Sequence, residues 1–163
     1  MKFNLIDKIE EVSESRLVAV KYVSLAEEYL ADHFPTFPVL PGVLMLEAMT
    51  QAAGWLLHRN SGFAKSMAVL KEAKNVKYGT FVAPGNALRV EVEVVKISES
   101  GGLFKAAGSV NGNSAVSARL EMAYFNISTS QGESGEQIDR RLIEHNRARW
   151  AIIAQSVSGA MAI

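Results

Sequence analysis

The 163-residue chain contains no cysteine. That excludes disulfides, thiolate nucleophiles and cysteine-held metals, and it is compatible with a reducing compartment. Net charge is also missing, since seventeen Lys and Arg balance seventeen Asp and Glu. No global field therefore draws the chain to nucleic acid or to an anionic membrane surface. The N-terminal segment lacks an apolar run of signal-peptide length, because Asp7, Glu10 and Glu11 interrupt it, and secretion is not expected. The longest apolar stretch, Val43 to Leu57, is broken at Glu47 and Gln51 and falls short of the roughly 20 residues that cross a bilayer as a helix. Nor is there a glycine-rich phosphate loop, a dinucleotide fingerprint or a His-Glu-x-x-His pattern, and His58 and His145 have no spacing that pairs them as ligands. The expectation is a cytoplasmic protein with no cofactor, no metal, no nucleic-acid partner and no membrane span.

What is present is ordinary in bulk and unusual in one place. Hydrophobic residues make up 48% and charged residues 21%, the composition of a globular domain with a real core. Only four prolines occur, and Pro35, Pro38 and Pro41 crowd into a loop over residues 32–42. A helix is expected to follow from about Gly42 to Leu57. It is apolar on nearly every side, which normally marks a buried helix, yet it carries Glu47. Burying an unpaired carboxylate costs several kcal/mol or forces it to hold a proton near neutrality, which is how a general acid is made. Fourteen residues upstream stands His33, whose ordinary pKa of about 6.5 suits a base. The pair points to acid/base chemistry in an apolar cleft.

The rest of the chain reads as one helix beside an antiparallel sheet, an α+β layout. Residues 16–23 favour a strand through Val18, Val20 and Val23, whereas 4–12 fit a helix or a strand equally well, with Ile6, Ile9 and Val12 three apart. A short turn or helix is expected at Leu25–Leu30. Strands are expected near 67–71, 74–82, 88–98, 103–110 and 114–125, separated by turns at Pro84-Gly85-Asn86, Ser100-Gly101-Gly102 and Asn111-Gly112-Asn113. Residues 126–136 are small and polar, a linker in composition. A second helix is expected beyond it, with Ser134 and Gln137 spaced as a capping box, Ile138, Leu142, Trp150, Ile153 and Val157 on one face, and Gly159 at its end. The chain thus divides into a domain over 1–126 and an extension, linker plus helix, over 127–163.

The run His33-Phe34-Pro35-Thr36-Phe37-Pro38-Val39-Leu40-Pro41-Gly42-Val43-Leu44-Met45-Leu46-Glu47-Ala48-Met49-Thr50-Gln51 closely resembles the active-site signature of β-hydroxyacyl-acyl-carrier-protein dehydratases of the FabZ type. Asn75-Val76-Lys77-Tyr78 and Val82-Ala83-Pro84-Gly85-Asn86-Ala87-Leu88 look like the family's later strand and Pro-Gly turn. The likeness covers roughly residues 3 to 125. It implies a hot-dog fold, an antiparallel sheet wrapped around the central helix, and a homodimer joined edge to edge with the active site between chains. A trimer of dimers is the larger assembly it suggests. His33 of one chain would work with Glu47 of its partner on a 3-hydroxyacyl thioester carried by acyl carrier protein or coenzyme A. Backbone N–H groups at Gly42 and Val43, where Pro41 opens the helix, would hold the thioester oxygen, and Gly42 would let substrate approach closely. Gln51, one turn beyond Glu47, would orient rather than react. Met45, Met49, Trp55 and Leu56 are core by default, or tunnel lining. Lys65, Lys71, Lys74 and Lys77 fall within thirteen residues and read equally as ordinary solvated lysines or as a basic stretch for the acidic carrier the family uses.

Three departures from that pattern are visible. Asp32 stands where glycine is usual, Asn86 replaces aspartate, and Val69-Leu70-Lys71-Glu72-Ala73-Lys74 lacks the aromatic and Ile-Asp pair often found there, so acyl length is left open. Glu47 in place of aspartate favours dehydration without the isomerase activity of FabA-type cousins. Two rivals remain: a hot-dog thioesterase with Glu47 activating water, and a non-catalytic acyl-binding or assembly module that works through its C-terminal helix.

Overall fold

Alternating burial builds the sheet. In the computed structural model, which describes residues 3–157, β1 (Lys8–Val12), β2 (Arg16–Tyr22), β3 (Met67–Tyr78), β4 (Ala87–Ser98), β5 (Gly101–Val110) and β6 (Asn113–Phe125) pair antiparallel in the order β1-β2-β4-β5-β6-β3. Every second residue of the central strands faces inward, among them Leu88, Val90 and Val92 of β4, Phe104 and Ala106 of β5, and Val116, Ala118, Leu120 and Met122 of β6. Against that face lies α1 (Gly42–Asn60), whose Ala48, Met49, Ala52, Ala53 and Leu56 are fully buried. The small alanines let the helix sit close to the sheet, and it touches β2 through β6. A second helix, α2 (Ser128–Ile153), and a short 3-10 turn at Glu28–Leu30 complete the elements. This is the hot-dog arrangement, α+β, with an added C-terminal helix.

The ambiguous N-terminus is a strand, and its three-residue spacing has a local cause. The β1–β2 register shifts between Ile9 and Glu11, so Ile9 pairs with Ala19 and Val12 with Leu17. One extra residue at this bulge puts Ile9 and Val12 on the same core face. The two strands expected over 67–82 are a single β3 ending at Tyr78, bent by register shifts at Leu70/Glu72 and Lys74/Lys77. Hydrogen bonding to β6 continues through Gly79 and Thr80.

The C-terminal region differs most from expectation. Residues 128–131, read as linker, are already helical, and the chain bends at Gly132 (φ 59°) before the long helical stretch to Ile153. Asp139 holds this corner: its carboxylate accepts the N–H groups of Ile127 (2.8 Å) and Ser128 (3.0 Å) and the hydroxyl of Ser66. Gly135 permits the fold-back, because a Cβ there would lie 2.6 Å from the Ser128 Cα. The start therefore falls at Ser128, not at Ser134, because a carboxylate eleven residues downstream caps the first turn. The expected stop at Gly159 lies outside the described residues. Trp150, Ile153 and Ala154 are buried in the same core as the sheet, and Arg147, Arg149 and Ser156 donate to the carbonyls of Gly62, Ile6 and Ile9.

Candidate active site

The proline-rich loop fixes His33 from three sides. Its N–H donates to the Tyr29 carbonyl (3.1 Å), its carbonyl accepts from the Val39 N–H (3.0 Å), and its ring Nδ1 meets the Val39 carbonyl at 3.0 Å. A carbonyl only accepts, so Nδ1 carries the proton and the Nε2 lone pair is available. The Phe34 ring stacks on the imidazole at 4.3 Å between centroids. Val39 and Leu40 anchor the loop in the core, and the Leu40 N–H donates to the Val82 carbonyl at 2.9 Å.

Immediately after this loop α1 begins. Pro41 is its N-cap residue, no side chain caps the helix, and the Pro41 carbonyl accepts from Leu44 (2.9 Å) and Met45 (3.1 Å). The N–H groups of Gly42 and Val43 have no acceptor among the described residues, as expected for a first helical turn, and Val43 is 68% exposed. Tyr78, which the sequence reading did not single out, shapes this end. Its ring fills the space a Gly42 side chain would take, with Cε1 2.9 Å from a Cβ built there. Gly42 thus admits a side chain of its own sheet.

Glu47 is half-buried, not enclosed. The helix is covered on its sheet side, but Val43, Leu46, Glu47, Gln51 and Trp55 form a strip that a single chain leaves partly open. Gln51 Nε2 donates to Glu47 Oε1 (3.0 Å) and to the Phe3 carbonyl (2.9 Å), while Gln51 Oε1 accepts the Leu5 N–H (2.9 Å). Gln51 thereby ties the N-terminal segment to α1 and orients the carboxylate. Beside it opens a cleft of about 190 Å³ lined by Glu47, Gln51, Gly54, Trp55, His58 and Asn146, among others. His33 does not line this cleft, and no hydrogen bond joins it to Glu47 within the chain.

At the far end of the cleft His58 is 6% exposed. It packs against Phe63 (5.7 Å, stacked) and edge-on to Tyr124 (5.2 Å), with Asn146 Nδ2 3.5 Å from its Nε2. Burial pushes its pKa down to about 4, against the opposing effect of a hydrogen bond with the Lys65 backbone. His58 is thus a neutral wall residue. Its position eleven residues after Glu47, three helical turns on, was the signal in the sequence. Among the lysines, Lys71 pairs with Glu121 and Lys74 with Glu72 on β3 and β6. The described residues contain no group of three His, Asp or Glu that could hold a metal, and no helix long and apolar enough to cross a membrane.

A helix wrapped by an antiparallel sheet defines a hot-dog protein, here with a histidine at the loop before the helix and a glutamate on the helix's open strip. The FabA-like domain model matches residues 1–119. The 3-hydroxyacyl-[acyl-carrier-protein] dehydratase FabZ of Clostridium perfringens is 39% identical over 121 residues, 74% of this chain and 87% of that one. The FabZ of Vibrio cholerae is 39% identical over 124 residues, covering 74% and 81%. Among solved structures, the dehydratase heterocomplex ApeI:P from Xenorhabdus doucetiae aligns with a TM-score of 0.65 at 22% identity, over 77% of this chain and 86% of that one. A hypothetical thioesterase from Streptococcus pneumoniae with coenzyme A aligns with a TM-score of 0.53 at 14% identity, over 72% of this chain and 84% of that one. The chain belongs to the FabA-like family, and its curated relatives at this level are dehydratases of the FabZ type.

Proposed function

We infer that this chain dehydrates 3-hydroxyacyl thioesters, carried by acyl carrier protein or coenzyme A, to trans-2-enoyl thioesters in fatty-acid or related lipid synthesis. The observation that supports the reading is the tautomer of His33, whose Nδ1 proton is held by the Val39 carbonyl and leaves the Nε2 lone pair to serve as a base. Nε2 takes the proton from the carbon beside the thioester carbonyl, and those electrons form the new double bond. The C–O bond breaks at the next carbon, and the departing oxygen leaves as water with a proton from Glu47. Charge developing on the thioester oxygen is met by the Gly42 and Val43 N–H groups at the positive end of α1. Pro41 holds that end open, and Gln51 aims Glu47. No cofactor takes part.

Within one chain the His33 ring is held by Val39 and Glu47 by Gln51, with no hydrogen bond between the two, and β3 is a 12-residue strand at the edge of the sheet. Such an edge is a template for another strand. We therefore place the working site between two copies, His33 of one beside Glu47 of the other, in a cytoplasmic homodimer. Pairing would also cover the open strip of α1 and give Glu47 the dry setting a general acid requires.

The test is to incubate the protein with crotonyl and 3-hydroxybutyryl thioesters and follow enoyl absorbance together with free thiol. Reversible hydration without thiol release is expected. His33→Ala and Glu47→Gln should each lower the rate by about 10²- to 10⁴-fold with the fold retained. Thiol release in place of hydration would make it a thioesterase.

A further inference from the structure

The shared domain match ends at residue 119, yet a residue of α2, Asn146, lines the cleft that holds Glu47. We propose that α2 is the end wall of the acyl site, with Asn146, His58 and Trp55 limiting the substrate to short and medium acyl chains. The proposal rests on the dehydratase reading for the direction in which substrate lies. With the hydroxyl-bearing carbon at Glu47, the remaining acyl chain continues in the cleft beside that residue, along the α1 that carries it, past Gln51 and Gly54, toward Trp55 and His58.

Distances along the helix set the limit. Glu47 and Trp55 are separated by about 12 Å of helix rise, and helical side chains lean toward the N-terminus, which brings the Trp55 ring back over the preceding turn. An extended chain advances about 1.2 Å per bond. The wall therefore falls where an acyl chain reaches about eight to twelve carbons.

The wall is fixed in place. Asn146 Nδ2 donates to the Ser66 carbonyl (3.2 Å), Arg147 reaches the Gly62 carbonyl (3.1 Å), and the Trp150 ring lies 6.0 Å from Trp55 and 6.3 Å from Phe63. It is also polar, since Asn146 and His58 present an amide and a neutral imidazole where a long alkyl chain would have to enter. Burying methylenes against such groups strips their hydrogen bonds without replacing them.

Trp55 lines the cleft and Trp150 lies against it, and these are the chain's two tryptophans. Their fluorescence therefore reports acyl occupancy. Saturated acyl-pantetheine thioesters from butyryl to palmitoyl should be titrated into the full chain, alongside turnover of 3-hydroxyacyl thioesters of the same lengths. The wild type is expected to lose affinity about tenfold or more between octanoyl and lauroyl. Asn146→Ala should shift that limit to longer chains and raise the ratio of long- to short-chain kcat/KM about tenfold. Gly54→Ala, whose Cβ would come 3.3 Å from the Ala68 Cβ, should narrow the passage and lower the same ratio. The Gly54 variant carries the test if Asn146→Ala unfolds. Equal affinity for butyryl and palmitoyl thioesters, or unmoved limits in folded variants, would overturn the wall. Length-dependent binding with no turnover of crotonyl thioester would instead remove the dehydratase reading and leave the wall standing.

Discussion

His33 and Glu47 are prepared to different degrees inside one chain. The imidazole has its tautomer, ring plane and backbone fixed locally, by Tyr29, Phe34 and Val39. The carboxylate has one fixed partner, Gln51, and an open side. Gln51 is therefore the residue whose loss is most informative. Gln51→Ala should leave the Leu5 N–H without its acceptor, costing about 1–3 kcal/mol in urea unfolding, and should lower kcat as Glu47 loses its aim. Gln51→Glu keeps an acceptor for the Leu5 N–H but loses the amide that donates to Glu47, so it should recover stability lost in Gln51→Ala while kcat stays low. Recovery of kcat in Gln51→Glu would mean that Gln51 does not aim Glu47.

At the scale of elements, the pieces that alternate or repeat cleanly were legible in the sequence: β2, α1, β4, β5 and β6 lie close to their expected places. The misses share one cause, which is that a distant group decides the local outcome. Ile9 and Val12 fit a helix as well as a strand because a bulge against β2 restores their common face. The polar stretch after Asn126 looked like a linker because its cap, Asp139, lies on the next turns of the same helix. Burial works to raise the Asp139 pKa, but the Ser66 hydroxyl and the Ser128 and Ile127 donors outweigh it and hold the carboxyl at about 2. The docking of α2 has a further consequence through His58. Its folded pKa of about 4 lies below the unfolded value near 6.5. Between those two values the unfolded chain binds a proton that the native state does not, so stability present at neutral pH is lost as pH falls from about 6.5 toward 4. The loss should approach about 3 kcal/mol at the acid end, read as a falling urea midpoint. His58→Gln should flatten this dependence in that window, whereas the Asp139 contribution should vanish only below about pH 4. A wild-type midpoint that stays level from pH 7 to pH 4 would contradict the buried neutral imidazole.

At the scale of the molecule, the sequence offers the proposed reacting groups but not their meeting place. A carboxylate in an apolar helix and a histidine before a proline-stiffened loop draw attention to Glu47 and His33, and the resemblance over residues 33–51 is what pairs them as acid and base. Tyr78 and Asn146 gave no such signal; only the fold sets the first against Gly42 and the second beside His58. One chain carries the proposed base in its loop and the proposed acid on the open strip of α1 with no hydrogen bond between them, so the assignment of the site to two copies makes a quantitative prediction. Mixing equal amounts of unfolded His33→Ala and Glu47→Gln chains and refolding them together gives half mixed dimers, if pairing is random and two-fold symmetric. Each mixed dimer contains one site with both defects and one with neither. Activity should return to about a quarter of the wild-type value, although each variant alone is inactive. If both groups instead served a site within one chain, every site in the mixture would carry a defect and no activity would return.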